Sequence, residues 1–352
     1  MSNSQNMPPR RIARGTQIVI GMGIAAAIWS GIWLGLQHWA NLRLDQWLAS
    51  EKAAGREWSC QSRKWQGYPF HLRLDCEGAA FSGLVRGQSV KLHLNALHIT
   101  ADALLPGHFT TMATAPMQID IASTGLKLNW NRLATAVQIS LGPNPQLRTF
   151  EWQADHLAIE AINPASTAAT TRVEALDLAA HNLDRQQSPI EVTLKGVESP
   201  ALNLWLKSGD AANLTLHATA SQLMLPALTA QPQSLPQWLE GWRQRSGALA
   251  LQETRFDKGP VKITASGTLH LDAAHRLDGH LATQSSGLDP LLASLGLPKL
   301  NSGLGALLAG LAAPATTSAP TLEGGTPMNF DFTNGKLFVG PLPTPVRMLP
   351  LY

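Results

Sequence analysis

Charge is scarce in this chain. Only 14% of its 352 residues are Asp, Glu, Lys or Arg, against about 25% in ordinary soluble domains. The formal net charge is +3, and the N-terminal arginines supply much of it, too little for a nucleic-acid surface. No nucleic-acid partner is expected. Cysteine is scarcer still, with two residues, Cys60 and Cys76. Two thiols alone lack the usual four-ligand zinc set. The signatures of common chemistries are missing as well: no Gly-x-Ser-x-Gly elbow, no phosphate-cradling Gly-x-x-x-x-Gly-Lys-Ser/Thr loop, no His-Glu-x-x-His. Gly21 and Gly23 lie inside an apolar run and read as helix-contact residues rather than a nucleotide loop. A Ser-His-Asp triad is assembled by geometry and leaves no fixed spacing, but nothing points to one. The expectation is a protein that is not an enzyme and holds no cofactor.

What the chain does have is an uncharged run from Thr16 to Leu36, preceded by Arg10, Arg11 and Arg14. A run of about 20 residues matches a hydrocarbon core of ~30 Å at 1.5 Å per residue. The basic flank marks a cytoplasmic end, and Trp29, Trp33 and Trp39 collect toward the other, where amphipathic rings favour the interface. A cleaved signal peptide would have a shorter apolar region and a small-x-small site, and Gln37 to Leu42 offers none. The expected organisation is a basic cytoplasmic tail at 1–15, a single-pass anchor helix in the inner membrane at 16–38, and a periplasmic β-rich domain at 39–352.

Beyond the anchor, Leu42, Leu44, Trp47 and Leu48 continue a helix toward a stop at Gly55. The period then changes to two. Phe70-Leu72-Leu74, Val90-Leu92-Leu94, Leu202-Leu204-Leu206 and Leu214-Leu216 each alternate with polar residues or Trp205. Alternation of this kind predicts strands with one apolar and one polar face. More than ten such stretches lie between 58 and 283 with little helical signal between them, which favours antiparallel pairing. The apolar residues make up 44% of the chain, so much apolar surface must be buried or must line something apolar. Leu72, Leu74, Leu92, Leu94, Leu204 and Leu216 are the candidate lining residues of such a groove, and equally candidate core.

The segment from Gln61 to Asp75 reads as strand, Gly67-Tyr68-Pro69 turn, strand. A hairpin returns its ends to each other, so Cys60 and Cys76 can form a disulfide in an oxidising compartment, closing a loop whose cross-link contributes roughly 3 kcal/mol. Two separate buried thiols are the alternative. A helix is predicted at 234–246, with Ser234 and Gln237 as a capping box, Pro236 in the first turn and Leu235, Trp238, Leu239 and Trp242 on one face. That face packs on the sheet or, alternatively, lies on a membrane surface. Further apolar helix is predicted near 285–313, a flexible loop at 314–326, and a hairpin through Asn334-Gly335. His270, His275 and His280, with Asp272 and Asp278, form the best metal candidate, but a spacing of five alternates strand faces, so no metal site is expected.

Five elements in this order carry a resemblance: the anchor; Trp65-Gln66-Gly67-Tyr68-Pro69-Phe70; the helix bearing Trp238 and Trp242; Gly267-Thr268-Leu269-His270-Leu271 through Leu277-Asp278-Gly279-His280-Leu281; and Asn334 to Pro343 with the Leu-Pro-Leu-Tyr end. Together they resemble an uncharacterised bacterial family, mostly alphaproteobacterial, of inner-membrane-anchored periplasmic proteins. That family is remotely similar to the AsmA-like envelope proteins. The departure is Tyr68 where the family has Phe, which keeps the aromatic bulk. The resemblance implies a mainly β fold with a few helices (α+β), an N-terminal transmembrane helix followed by a long curved antiparallel β-sheet, and an open AsmA-like groove. Its implied role is lipid binding or transport in the envelope, with the inner membrane and phospholipid as partners, and it brings no catalytic residues. The alternative expectation is a structural or assembly scaffold with an envelope protein partner.

Overall fold

The computed structural model describes residues 14–85, 87–122, 124–162, 170–225, 234–288 and 325–352. Its first element, α1 (Arg14–Ala53), is a single helix of 40 residues, about 60 Å long at 1.5 Å per residue. No charge interrupts it before Arg43. Gly55 ends it at φ +76°, the left-handed conformation that glycine adopts at helix C-termini without steric cost. The helix is long and apolar enough to cross a membrane.

The rest of the described residues form one antiparallel sheet of 17 strands, with two short helices between strands. They are β1 (Arg56–Ser59), β2 (Ser62–Gln66), β3 (His71–Val85), β4 (Gln88–Asp102), β5 (His108–Ile121), β6 (Thr124–Asn129), β7 (Arg132–Ile139), β8 (Leu147–Ile162) and β9 (Thr170–Ala180). After β10 (Gln187–Val197) come helix α2 (Pro200–Leu206), β11 (Ala212–Ser221) and helix α3 (Leu235–Gln244). Then follow β12 (Ala248–Lys258), β13 (Val261–Leu271), β14 (Leu277–Ser286), β15 (Thr326–Thr333), β16 (Lys336–Val339) and β17 (Leu342–Arg347). Connectivity is a meander, each strand pairing with the next along the chain. Two broken strands modify it: β1 and β2 lie end to end along β3, and β6 and β7 lie end to end between β5 and β8. Among the described residues β17 pairs only with β16, while β1 and β2 pair only with β3, so the sheet is open at these edges.

Directly opposed residues of an antiparallel ladder share a face, so the register shows what each face is made of. One row runs Leu72, Ala101, Phe109, Val137, Phe150, Ala180, Ile190, Ala218, Leu251, Gly267, Leu281, Phe330, Val339, Leu342. A parallel row two residues on includes Leu74, Ile99, Trp152, Leu178, Val192 and Leu216. The opposite face carries Asp75, His98, Gln153, Asp177, Thr193, Thr215 and Arg255 in register. The apolar side therefore crosses the whole sheet without a charge in the first row. With strands ~4.8 Å apart that row is on the order of 60 Å long.

Local chemistry explains the turns. Asn334-Gly335 takes φ of +53° and +71°, as a tight hairpin requires. At Gly78, φ +59°, a Cβ would meet the Gln61 side chain at 2.5 Å, so glycine lets the chain break between β1 and β2 sit against β3. Helix α3 has the predicted capping box at Ser234 and Gln237. The strands on either side of it, β11 and β12, pair with each other, so it is an insertion in one continuous sheet. Trp242 donates from Nε1 to the Ser221 carbonyl at 2.8 Å, which is the sheet-packing alternative.

One expected strand is a helix. Leu202-Leu204-Leu206 lies in α2, with Pro200 in its first turn and Lys207 in the left-handed conformation at its end. Proline loses no intrahelical bond there, and three leucines at every second position are too few to distinguish the periods. Conversely β17, with Pro343 and Pro345, was not expected as a strand. It is an edge strand, where a missing N–H faces no partner. Of the expected helix near 285–313, residues 285–288 are described and the first two end strand β14; of the expected loop at 314–326, residues 325–326 are described and Thr326 begins β15; the rest of both lies outside the described residues.

Candidate functional site

The C-terminal half of α1 lies along the first strands and covers the start of the apolar face. Asn41 Oδ1 accepts from Trp65 Nε1 at 3.1 Å, Arg63 pairs with Asp45 at 2.8 Å, and Arg56 holds Glu51 through two nitrogens at 2.6 and 2.7 Å. Those two bonds hold Glu51 below its usual carboxylate range. The rings of Trp47, Trp58 and Phe81 lie in sequence with centroids 5.9 and 4.5 Å apart and planes tilted by 41° and 50°. Beneath this cover is a cavity of about 300 Å³. Its helix wall is Leu44, Trp47 and Leu48, and its floor includes Leu74, Leu92, Leu94, Leu97 and Ile99.

The disulfide forms one end of this cavity. Cys60 and Cys76 are bonded, with Cα atoms 5.5 Å apart, within the usual range for such a bridge. The expected hairpin positions them: β2 pairs with β3 from Ser62–Glu77 to Gln66–Arg73, leaving the cysteines at its open end.

Of the six leucines singled out from the sequence, Leu74, Leu92 and Leu94 line the cavity. Leu72 and Leu216 are half-buried on the same face, farther along its rows. Leu204 is a correction: it sits on helix α2 rather than on a strand, is 83% exposed, and lines no part of this face. The sealed part of the face is small. Leu94, Trp130, Ala154, Leu157 and Val173 form one buried cluster, and Val261, Leu288 and Met328 another. In the long row from Leu72 to Leu342 only Ala180, Ala218 and Leu251 are buried; the others are half-buried. The face is therefore apolar without being closed like the core of a sandwich.

One contributor to the apolar face leaves no signal in the sequence. Trp130, at the break between β6 and β7, is buried with its Nε1 donating to the Ala113 carbonyl at 2.8 Å; a lone tryptophan after Asn129 gave no periodic signal. Leu44, Trp47 and Leu48 were recognised as helical, but their partner surface is set by long-range packing.

The histidines do not converge. His270 pairs with Asp278 at 3.4 Å, His280 with Asp331 at 2.7 Å, and His275 with Glu240 at 3.3 Å. Each has its own carboxylate, and the described residues contain no cluster of three candidate metal ligands. Glu240 is strongly perturbed. Bonds from Arg243, Gln244 and the Tyr352 hydroxyl lower its pKa to about 2, fastening the C-terminus to α3.

The matching family model spans residues 33–346, from the middle of α1 to the last strand, and is described as an uncharacterized protein conserved in bacteria (DUF2125). The chain belongs to this family. No curated protein and no solved structure matches it. The DUF2125 match takes in the α1 half that covers the cavity together with all the strands.

Proposed function

We propose that this DUF2125 protein is a membrane-anchored, non-enzymatic lipid-binding protein of the bacterial envelope, remotely AsmA-like and of an alphaproteobacterial kind. In this reading α1 crosses the inner membrane, the basic tail is cytoplasmic, and the sheet stands in the periplasm as a trough for phospholipid acyl chains. The observation that carries it is the uninterrupted apolar row from Leu72 to Leu342, most of it only half-buried. Acyl chains complete the burial of such a surface, each methylene gaining about 0.8 kcal/mol on leaving water. The Cys60–Cys76 bridge fits an oxidising compartment, and Arg10, Arg11 and Arg14 fit the cytoplasmic end of the anchor.

A second reading, a scaffold for an envelope protein partner, draws on Leu204 and Trp205, exposed together on α2. The experiment that separates the two is native mass spectrometry of the full chain extracted in mild detergent. Phospholipid retained at defined stoichiometry after delipidating washes supports the trough. A folded, lipid-free protein that also refuses added phospholipid would remove it and leave the scaffold.

A further inference from the structure

The end of the sheet next to the membrane-crossing part of α1 carries a ring of exposed apolar side chains on loops without charge. The β2–β3 tip is Gly67-Tyr68-Pro69-Phe70, the β4–β5 turn is Ala103-Leu104-Leu105-Pro106-Gly107, and the β7–β8 loop contains Leu141. Tyr68, Phe70, Leu104, Leu105 and Leu141 are 51–69% exposed. They are contiguous: Ala103 N donates to the Phe70 carbonyl at 2.9 Å, and Ile139 N to the Gly107 carbonyl at 2.8 Å.

The tip is tied to α1 inside its apolar run. Trp29 Nε1 donates to the Pro69 carbonyl at 2.9 Å, Trp33 Nε1 to the His71 carbonyl at 3.0 Å, and Ser30 Oγ bonds the Tyr68 hydroxyl at 2.9 Å. Length then fixes depth. Residues 17–28 of the helix are exposed, and the 14 residues between Arg14 and Trp29 reach only about 21 Å at 1.5 Å each. A hydrocarbon core of ~30 Å needs roughly 9 Å more. That remainder falls on Trp29 to Leu34, the stretch docked against the tip.

Polar backbone is costly in hydrocarbon unless it is paired, and several groups of the β2–β3 tip and the β4–β5 turn are paired within the protein. The carbonyls of Gly67, Pro69, Phe70 and His71 accept from His71, Trp29, Ala103 and Trp33. Asp102 Oδ1 accepts from Leu104 N at 2.8 Å and Leu105 N at 3.2 Å, and Leu105 O accepts from His108 N. We infer that this rim is submerged in the facing leaflet, with Leu104, Leu105 and Leu141 among the acyl chains. The row beginning at Leu72, Ala101 and Phe109 then starts at the rim. An acyl chain can pass from leaflet to sheet without crossing water. The inference rests on α1 being a membrane anchor and stands whether or not lipid occupies the rest of the sheet.

The test uses the full chain in phosphatidylcholine–phosphatidylglycerol vesicles. Both native cysteines are bonded, so a single added cysteine is the only free thiol for an environment-sensitive fluorophore. Positions are Leu104→Cys, Leu141→Cys, Ile24→Cys inside α1, and Leu204→Cys on α2 at the opposite end of the strands. Formation of the native disulfide reports that each variant is folded. The expected result is quenching by acyl-chain doxyl lipids at positions 24, 104 and 141, with position 204 quenched only by aqueous iodide. Lipid quenching at 24 while 104 and 141 behave like 204 would overturn the rim, meaning that the bilayer thins to meet a dry domain, and would leave the anchor intact. Absence of lipid quenching at 24 would overturn both.

Discussion

Leu94 and Leu216 share the apolar face, yet the structure assigns opposite consequences to the same substitution. Leu94 is 6% exposed, in the larger buried cluster and on the floor of the cavity beneath α1. Leu94→Asp loses the burial of a leucine side chain, roughly 1.5–3 kcal/mol, and places a carboxylate in an apolar cavity whose lining cation Arg63 is already paired with Asp45, which costs several kcal/mol more or forces its protonation. The sum reaches about 5 kcal/mol, a large part of the 5–15 kcal/mol that holds ordinary domains folded. At half-buried Leu216 an aspartate stays in contact with water, so the loss is the partial burial, about 1 kcal/mol. Leu94→Asp should give a protein that is degraded in cells or melts without a cooperative transition. Leu216→Asp should keep the cooperative transition and the disulfide but retain less phospholipid. Leu204→Asp, on exposed α2, should change stability by no more than about 0.5 kcal/mol. Near-ultraviolet circular dichroism with thermal melts measures all three. A stable Leu94→Asp would refute the sealed cavity floor, and an unfolded Leu216→Asp would refute the open face at β11.

Three further outcomes are expected. Reduction should shift the mobility of the denatured chain and lower its urea stability by roughly 3 kcal/mol; alkylation of both cysteines without reductant would contradict the bridge. Lys258 is fully buried and donates to Asn203 Oδ1 at 2.7 Å and to the Asp210 carbonyl. Lys258→Met therefore loses two hydrogen bonds from a charged donor, about 1.5–3 kcal/mol each, and an unchanged urea midpoint would show that they do not stabilise the fold. Glu240 has a folded pKa of about 2, below its ordinary 4.5. Its support for the C-terminus is thus fully present above about 4.5 and is lost as pH falls through about 2. In fluorotyrosine NMR, where the chain's two tyrosines give two signals, Tyr352 should show a step in that acid window that Glu240→Gln abolishes; a step that persists in the variant belongs to another group.

The parts of the fold legible in the sequence are those decided locally. The Asn334-Gly335 hairpin, the Ser234–Gln237 capping box and the Cys60–Cys76 hairpin each need only neighbours in sequence, and each is present. Because each strand except β1 and β6 pairs with its successor, short turns between successive strands also set much of the sheet's register. The failures have the same physical origin. In α2, Leu202-Leu204-Leu206 carries too few residues to favour period two over a short helix, and Pro200 in the first turn is compatible with helix. In β17, Pro343 and Pro345 leave no regular strand signal, and an edge position with one partner accommodates them. The docking of Trp29 and Trp33 on the Tyr68–Pro69 tip left no trace in periodicity, because it depends on side chains about 40 residues apart meeting across the chain.

The central claim is that lipid occupies the apolar face, and site-specific photocrosslinking in living cells tests it most directly. A photoreactive phenylalanine analogue replaces Val192 or Leu216, in register in the middle of the apolar face, and separately Thr193 or Thr215 on the polar face. The account predicts phospholipid adducts, identified by mass spectrometry, at positions 192 and 216 and none at 193 and 215. Protein adducts at 192 and 216, or lipid adducts equally abundant on both faces, would contradict it.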